Sequence, residues 1–272
     1  VRSLTETVAD GDEFDYVIVT LKALPDVYDV AEIIRPAVTI GKTCIVLIQN
    51  GLGIEDPVAK TFPMNPLLSV VAYIGVSQLS SGRIDMQGTE LLKIGIFPKV
   101  MVDHAKQVEA RDRFVGVLRR GGVDVEVIKD IQADRWQKLI WNGSFSPISV
   151  LTLGDTQLIV NNPEQKALLV NLMRDVIRVA AAHGYIFDEE ATITEMFAKT
   201  ARVAPGYKSS MLLDLEKGQP MEVEVILGNA YREAKAKGVA VPYLETIYTL
   251  CNAVNQREKK AREMKAAQNT PV

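Results

Sequence analysis

Histidine and cysteine are scarce, with two of each in 272 residues. His104 and His183 stand far apart and outside any cluster of ligand-type residues. A histidine-based triad or a zinc site is therefore not expected, and no metal is assigned. Cys44 and Cys251 are equally far apart, each in apolar surroundings. They read as inert packing residues in a reducing compartment, which points to the cytoplasm. A surplus of positive charge is also missing: the net charge is −3, which gives no basic field for nucleic acid and no polybasic stretch for a membrane surface. No run reaches the roughly 18 consecutive apolar residues of a membrane span. The opening Val1-Arg2-Ser3-Leu4 is neither a signal peptide nor an initiator methionine and reads as a cut end. Finally, no glycine-rich phosphate loop precedes the first strand. Gly51-Leu52-Gly53 follows a strand, but Asp56 occupies the third glycine position, and its charge would oppose a pyrophosphate.

What is present is a chain able to fold. Hydrophobic residues make up 47% and charged residues 24%, enough to bury one large core or two ordinary ones. Residues 15–21 form an apolar β-branched run that reads as a strand buried on both faces. A helical pattern through Val27, Val30, Ala31, Ile34 and Val38 leads to a second such run at 43–48. Strand, crossover helix and strand predict a parallel pair. A short helix is predicted at 54–62, strands at 67–77, 83–86 and 90–97, a helix at 103–120 and a strand at 124–129. From residue 131 onward the apolar period is helical, through 167–182, 192–203, 211–215, 223–236 and 243–254. The predicted organisation is an α/β domain over 1–129, an all-α domain over 130–258 and a polar tail over 259–272.

Polar residues stand where such a fold collects ligands. Lys22 follows the first strand and Gln49-Asn50-Gly51 the second, so both would face the crevice at the carboxyl ends of a parallel pair. Lys138, Asn142 and Ser146 recur at i, i+4 and i+8, a polar stripe on an otherwise apolar helix. Spacing alone also suits a lysine that snorkels to solvent. Glu222 opens a helix after the Gly218-Gln219-Pro220 break, where the helix dipole favours a carboxylate with or without chemistry. Ser209-Ser210-Met211 could cap a helix or offer donors to an anionic group.

Taken in order, five segments resemble the ketopantoate reductases, NADPH-dependent 2-dehydropantoate 2-reductases. They are Tyr16-Val17-Ile18-Val19-Thr20-Leu21-Lys22, Gln49-Asn50-Gly51-Leu52-Gly53, Lys138-Leu139-Ile140-Trp141-Asn142, Ser209-Ser210-Met211-Leu212-Leu213-Asp214 and Met221-Glu222-Val223-Glu224 through Gly228. The resemblance implies an α/β, partial Rossmann-type dinucleotide-binding domain that lacks its first βαβ, followed by an all-α C-terminal domain like that of 6-phosphogluconate dehydrogenase. It implies NADP as cofactor and a small 2-keto acid as substrate, and the apolar helix faces permit a homodimer. It assigns Lys138 as the catalytic lysine that protonates the ketone oxygen, with Glu222 orienting the lysine and the cofactor ribose. Asn142 and Ser210 fall on substrate-binding positions, Asn50 between the nicotinamide ribose and the substrate, and Lys22 on the cofactor. The resemblance implies 2-dehydropantoate, reduced to pantoate, as that substrate; the family's second asparagine falls on Ser146 and another falls near Asp155-Thr156, departures that keep another 2-keto acid as an alternative. A reductase is the expectation. A binding or dimerisation module without an intact cofactor site, and another two-domain dehydrogenase, are the alternatives.

Overall fold

Five strands lie in chain order in one sheet of a computed structural model that describes residues 8, 11–202 and 206–268. The first two are β1 (Tyr16–Val19) and β2 (Cys44–Leu47), parallel and joined through the helix α1 (Val30–Ile34) and a 3₁₀ turn at Arg35–Ala37. α1 starts where the Asp29 side chain accepts from the Ala31 amide. β2 is buried on both faces, as its unbroken apolar run requires. β1 is not. It is the edge of the described sheet, pairs only with β2, and leaves Ile18 51% exposed, which corrects the expectation of burial on both faces.

From β2 the chain passes through α2 (Glu55–Thr61) to β3 (Leu67–Ser80), parallel to β2. β3 then turns into the antiparallel β4 (Arg83–Ile96), so the two strands expected at 83–86 and 90–97 are one. The register explains the misreading. Tyr73 pairs with Leu91 and Gly75 with Gln87, so three residues of β4 bulge opposite Ile74 and interrupt the alternation. α3 (His104–Arg120) follows, capped by Asp103, and β5 (Val125–Val127) runs parallel to β4.

One face of this sheet packs Cys44, Val46, Leu68, Val70, Leu92 and Ile94 against Phe114 and Val115 of α3. Each such side chain, fully buried, contributes about 1.5–3 kcal/mol of transfer free energy. Burial also pushes the Cys44 thiol up to about 12, so it is a neutral packing group.

The described residues sort into two compact units that meet in sequence between Arg135 and Trp136. The helix α4 (Ile131–Thr152) begins in the first and ends in the second. The regular elements of the second unit are all helical: α5 (Thr156–Asn161), α6 (Pro163–Ala182), α7 (Glu189–Thr200), α8 (Ser210–Glu216), a π-helical stretch at Glu224–Gly228, α9 (Asn229–Lys237) and α10 (Pro242–Gln268). α6 shows why the periodicity reads correctly. Asn162 caps it, Pro163 occupies its first turn, and Leu169, Leu172, Met173, Val176 and Ala180 form one buried stripe. α10 carries the chain to Gln268, so most of the stretch read as a polar tail is helix. The architecture is a Rossmann-type α/β unit followed by an all-helical one.

Among the described residues, no helix is long and apolar enough to cross a membrane, and no group of histidine, cysteine, aspartate and glutamate could hold a metal ion.

Candidate active site

In the first unit, β1 and β2 run parallel and end side by side, which brings the segments after them together. The Ile48 amide donates to Val19 O at 2.9 Å, and the Gln49 side-chain amide donates to Leu21 O at 2.7 Å. Lys22 therefore stands next to the start of the Gln49-Asn50-Gly51 turn, and both Lys22 and Asn50 are half-buried. Tyr28 adds a hydroxyl that donates to Lys22 O. Gly51 and Gly53 have φ of +99° and +69°, which a residue with a side chain adopts only under strain. Gly51 and Gly53, which the sequence rules out as a phosphate loop, thus shape a turn beside an amide and a cation.

Arg135, which sequence reasoning passed over, reaches this turn from α4. Its Nη1 donates to both Gln49 O and Gly51 O at 3.0 Å.

In the second unit, α4 carries Lys138 and Asn142, both half-buried, and Ser146, which is buried. Leu139, Ile140 and Phe145 on its other faces are in the core, so the polar stripe has a fixed direction. Trp141 is held by its indole N–H donating to Thr200 Oγ1 at 2.9 Å and by stacking on Phe145 at 4.9 Å. α4 then crosses the π-helical stretch closely: a Cβ on Gly143 would lie 3.5 Å from Ile226 O. The Ile226 amide donates to Glu222 O at 3.1 Å. The helix of Lys138 and Asn142 therefore runs against the segment that begins at Glu222, whose side chain is buried.

The π-helix corrects the expectation that Glu222 opens an ordinary α-helix. An inserted residue widens the turn, a feature often found near functional groups. Glu224, on this turn, is occupied elsewhere, by Arg232 at 2.7 Å and by the Tyr248 hydroxyl at 3.1 Å.

The two serines divide their work. Ser209 is buried and caps α8, accepting from the Leu212 amide at 3.3 Å, whereas Ser210 is the first helical residue and is exposed. Asp155 likewise caps α5, accepting from the Leu158 amide at 2.9 Å, and the neighbouring Thr156 amide donates to Tyr207 O at 3.0 Å. Tyr207 is a phenol the sequence reading did not single out. Burial raises its pKa, so it stays a neutral donor.

Of the sequence-derived residues, then, Lys22 and Asn50 belong to the first unit. Lys138, Asn142, Ser146, Ser210 and Glu222 belong to the second.

Chemically, one helix of the second unit offers an amine, an amide and a hydroxyl at successive turns, and a segment packed against that helix carries a buried carboxylate. That set can hold a small anionic carbonyl compound and move one proton. The donors at the strand ends of the first unit, one ammonium and one amide beside a glycine turn, suit a ribose and its phosphate.

Comparison with known proteins places the chain in a family. Residues 1–99 match the model for "Ketopantoate reductase PanE/ApbA", and residues 130–255 match the one for "Ketopantoate reductase PanE/ApbA C terminal". An uncharacterised protein of Saccharomyces cerevisiae is 32% identical over 94% of this chain and 76% of its own length. The crystal structure of 2-dehydropantoate 2-reductase from Methylococcus capsulatus is 35% identical, with a TM-score of 0.80 over 92% of this chain and 77% of that one. A dimeric ketopantoate reductase from Staphylococcus aureus is 26% identical, with a TM-score of 0.77 over 94% and 81%. With both parts of the chain matched, this protein belongs to the ketopantoate reductase family of oxidoreductases, which work with a nicotinamide dinucleotide.

Proposed function

We propose that the protein reduces a small 2-keto acid with NADPH, and that the substrate is 2-dehydropantoate, converted to pantoate. The observation that carries this reading is the crossing of α4 and the π-helical stretch at Gly143 and Ile226, because it ties the lysine helix to the glutamate segment. Family membership supplies the reaction class.

The cofactor, when bound, supplies the hydride; Lys22, Asn50 and Glu222 are the residues that would hold it. Hydride addition leaves negative charge on the ketone oxygen. The Lys138 ammonium stabilises that charge and gives up its proton to the oxygen, so the alcohol leaves neutral. Glu222, a buried carboxylate, directs the lysine. Asn142, Ser146 and Ser210 bind the substrate with neutral donors. The cytoplasm is the proposed compartment, supported by two buried free thiols that burial holds near 12. A homodimer is the proposed assembly, supported by the dimeric relative.

A second reading, a 2-keto acid other than ketopantoate, is favoured by one feature. Ser146, on which the resemblance places the family's second asparagine, is buried and offers a hydroxyl instead of an amide, and Asp155 is spent on a helix cap.

The test is steady-state oxidation of NADPH and NADH by the full-length protein with ketopantoate and a panel of straight, branched and aromatic 2-keto acids. The proposal expects turnover with ketopantoate and higher kcat/KM for NADPH than for NADH. Preference for another acid supports the second reading, and no turnover with any 2-keto acid refutes both.

A further inference from the structure

Arg135 and Glu55 form an ion pair deep in the first unit. Arg135 Nε lies 2.5 Å from Glu55 Oε1, and the two side chains are 2% and 0% exposed. Ser69 Oγ donates to that oxygen at 2.7 Å and Gln132 Nε2 at 3.0 Å, while Arg135 Nε also reaches Ser69 Oγ at 2.7 Å. Both charges have given up their hydration. An apolar pair of the same size is often as stable or more so, so stability is a poor account of this arrangement. Glu55 Oε2 sharpens the point, since it is buried with no hydrogen-bond partner among the described residues.

The far end of the guanidinium gives a better account. Nη1 bridges Gln49 O and Gly51 O, the two carbonyls on either side of Asn50. With φ of +99° at Gly51 and +69° at Gly53, the turn is built on glycine conformations, and the Arg135 bonds tie two of its carbonyls to the core. The Gln49 side chain secures its entry by donating to Leu21 O. Arginine suits the task because its planar fork presents five donors at fixed angles. A lysine ammonium cannot bridge two carbonyls and hold a carboxylate and a hydroxyl at once.

We propose that the buried Arg135–Glu55 pair is a positioning device for the reaction. It clamps the carbonyls flanking Asn50 and thereby sets the direction of the Asn50 amide. Arg135 touches no reacting atom; it acts through Asn50. This inference rests on the reductase reading, in which Asn50 meets cofactor and substrate.

A double-mutant cycle in the full-length protein separates positioning from bulk stability. Arg135→Lys is expected to lower kcat/KM for the keto acid roughly 10- to 100-fold, the usual cost of a misplaced group. In an Asn50→Ala background the same change is expected to cost less than about twofold, because the amide it positions is gone. Hydrogen exchange at residues 49–53 is expected to speed up in Arg135→Lys while the rest of the first unit keeps its protection. Additive kinetic losses, or unchanged exchange at 49–53, would overturn the proposal. Should Arg135→Lys fail to fold, Glu55→Gln keeps the shape, removes the charge and is read by the same two measurements. The exchange arm needs no turnover, so it decides on the clamp even if the protein reduces no keto acid.

Discussion

A single buried carboxylate illustrates how burial and partners oppose each other. Asp175 on α6 is fully buried, accepts from the Leu244 amide at 2.8 Å, and takes a contact from Arg178. It serves as the anchor for the first turn of α10. Burial outweighs these partners and raises its pKa. The sign follows from linkage: a raised folded pKa means that the native state favours the protonated form. The stability that protonation contributes is full below the unfolded value of about 3.9 and is lost as pH rises through the raised folded value. Asp175→Asn keeps an acceptor for Leu244 and carries no charge. The variant's stability relative to the wild type should therefore improve as pH rises from about 3 to about 7, measured by urea unfolding at each pH. A constant difference across that window would show that burial does not dominate at this residue.

At the scale of elements, a tight joint in the first unit lies between β4 and the start of α4. A Cβ on Gly95 would lie 2.5 Å from Ile131 Cβ and 3.1 Å from Ile128 O, and Ile131 is itself fully buried. Neither neighbour is the end of a flexible side chain, so the helix would have to move. Gly95→Ala should cost about 1–3 kcal/mol, read as a lower urea midpoint with an unchanged slope. Elements of this kind differ in how legible they are. β2 declares itself by an unbroken β-branched run, and α6 by its cap, proline and stripe. The bulge in β4 hides because residues 88–90 break the alternation, which imitates a turn. The π-helical stretch hides for another reason: Glu-Val-Ile-Leu-Gly has nothing that sets it apart from an α-helix. The Lys138, Asn142 and Ser146 stripe is visible in sequence because one helix carries it. The Arg135 clamp is not, because Glu55, Ser69 and the Gln49 and Gly51 carbonyls come together only through the sheet.

For the whole molecule, the net charge of −3 supplies no basic field for nucleic acid or an anionic membrane surface. The order of the two units, α/β and then helical, is legible from the switch of period near residue 130. What composition cannot give is chemistry, which comes from a few polar side chains set on rigid elements. The account therefore turns on Lys138, the amine it makes responsible for protonating the ketone oxygen. The most direct measurement is kcat for 2-keto acid reduction by the full-length protein and by its Lys138→Ala variant, with both shown to unfold at the same temperature. Loss of a positioned general acid predicts a fall of about 10²- to 10⁴-fold in kcat. A variant that keeps wild-type kcat within about threefold, a difference near 0.7 kcal/mol in the barrier, would contradict it.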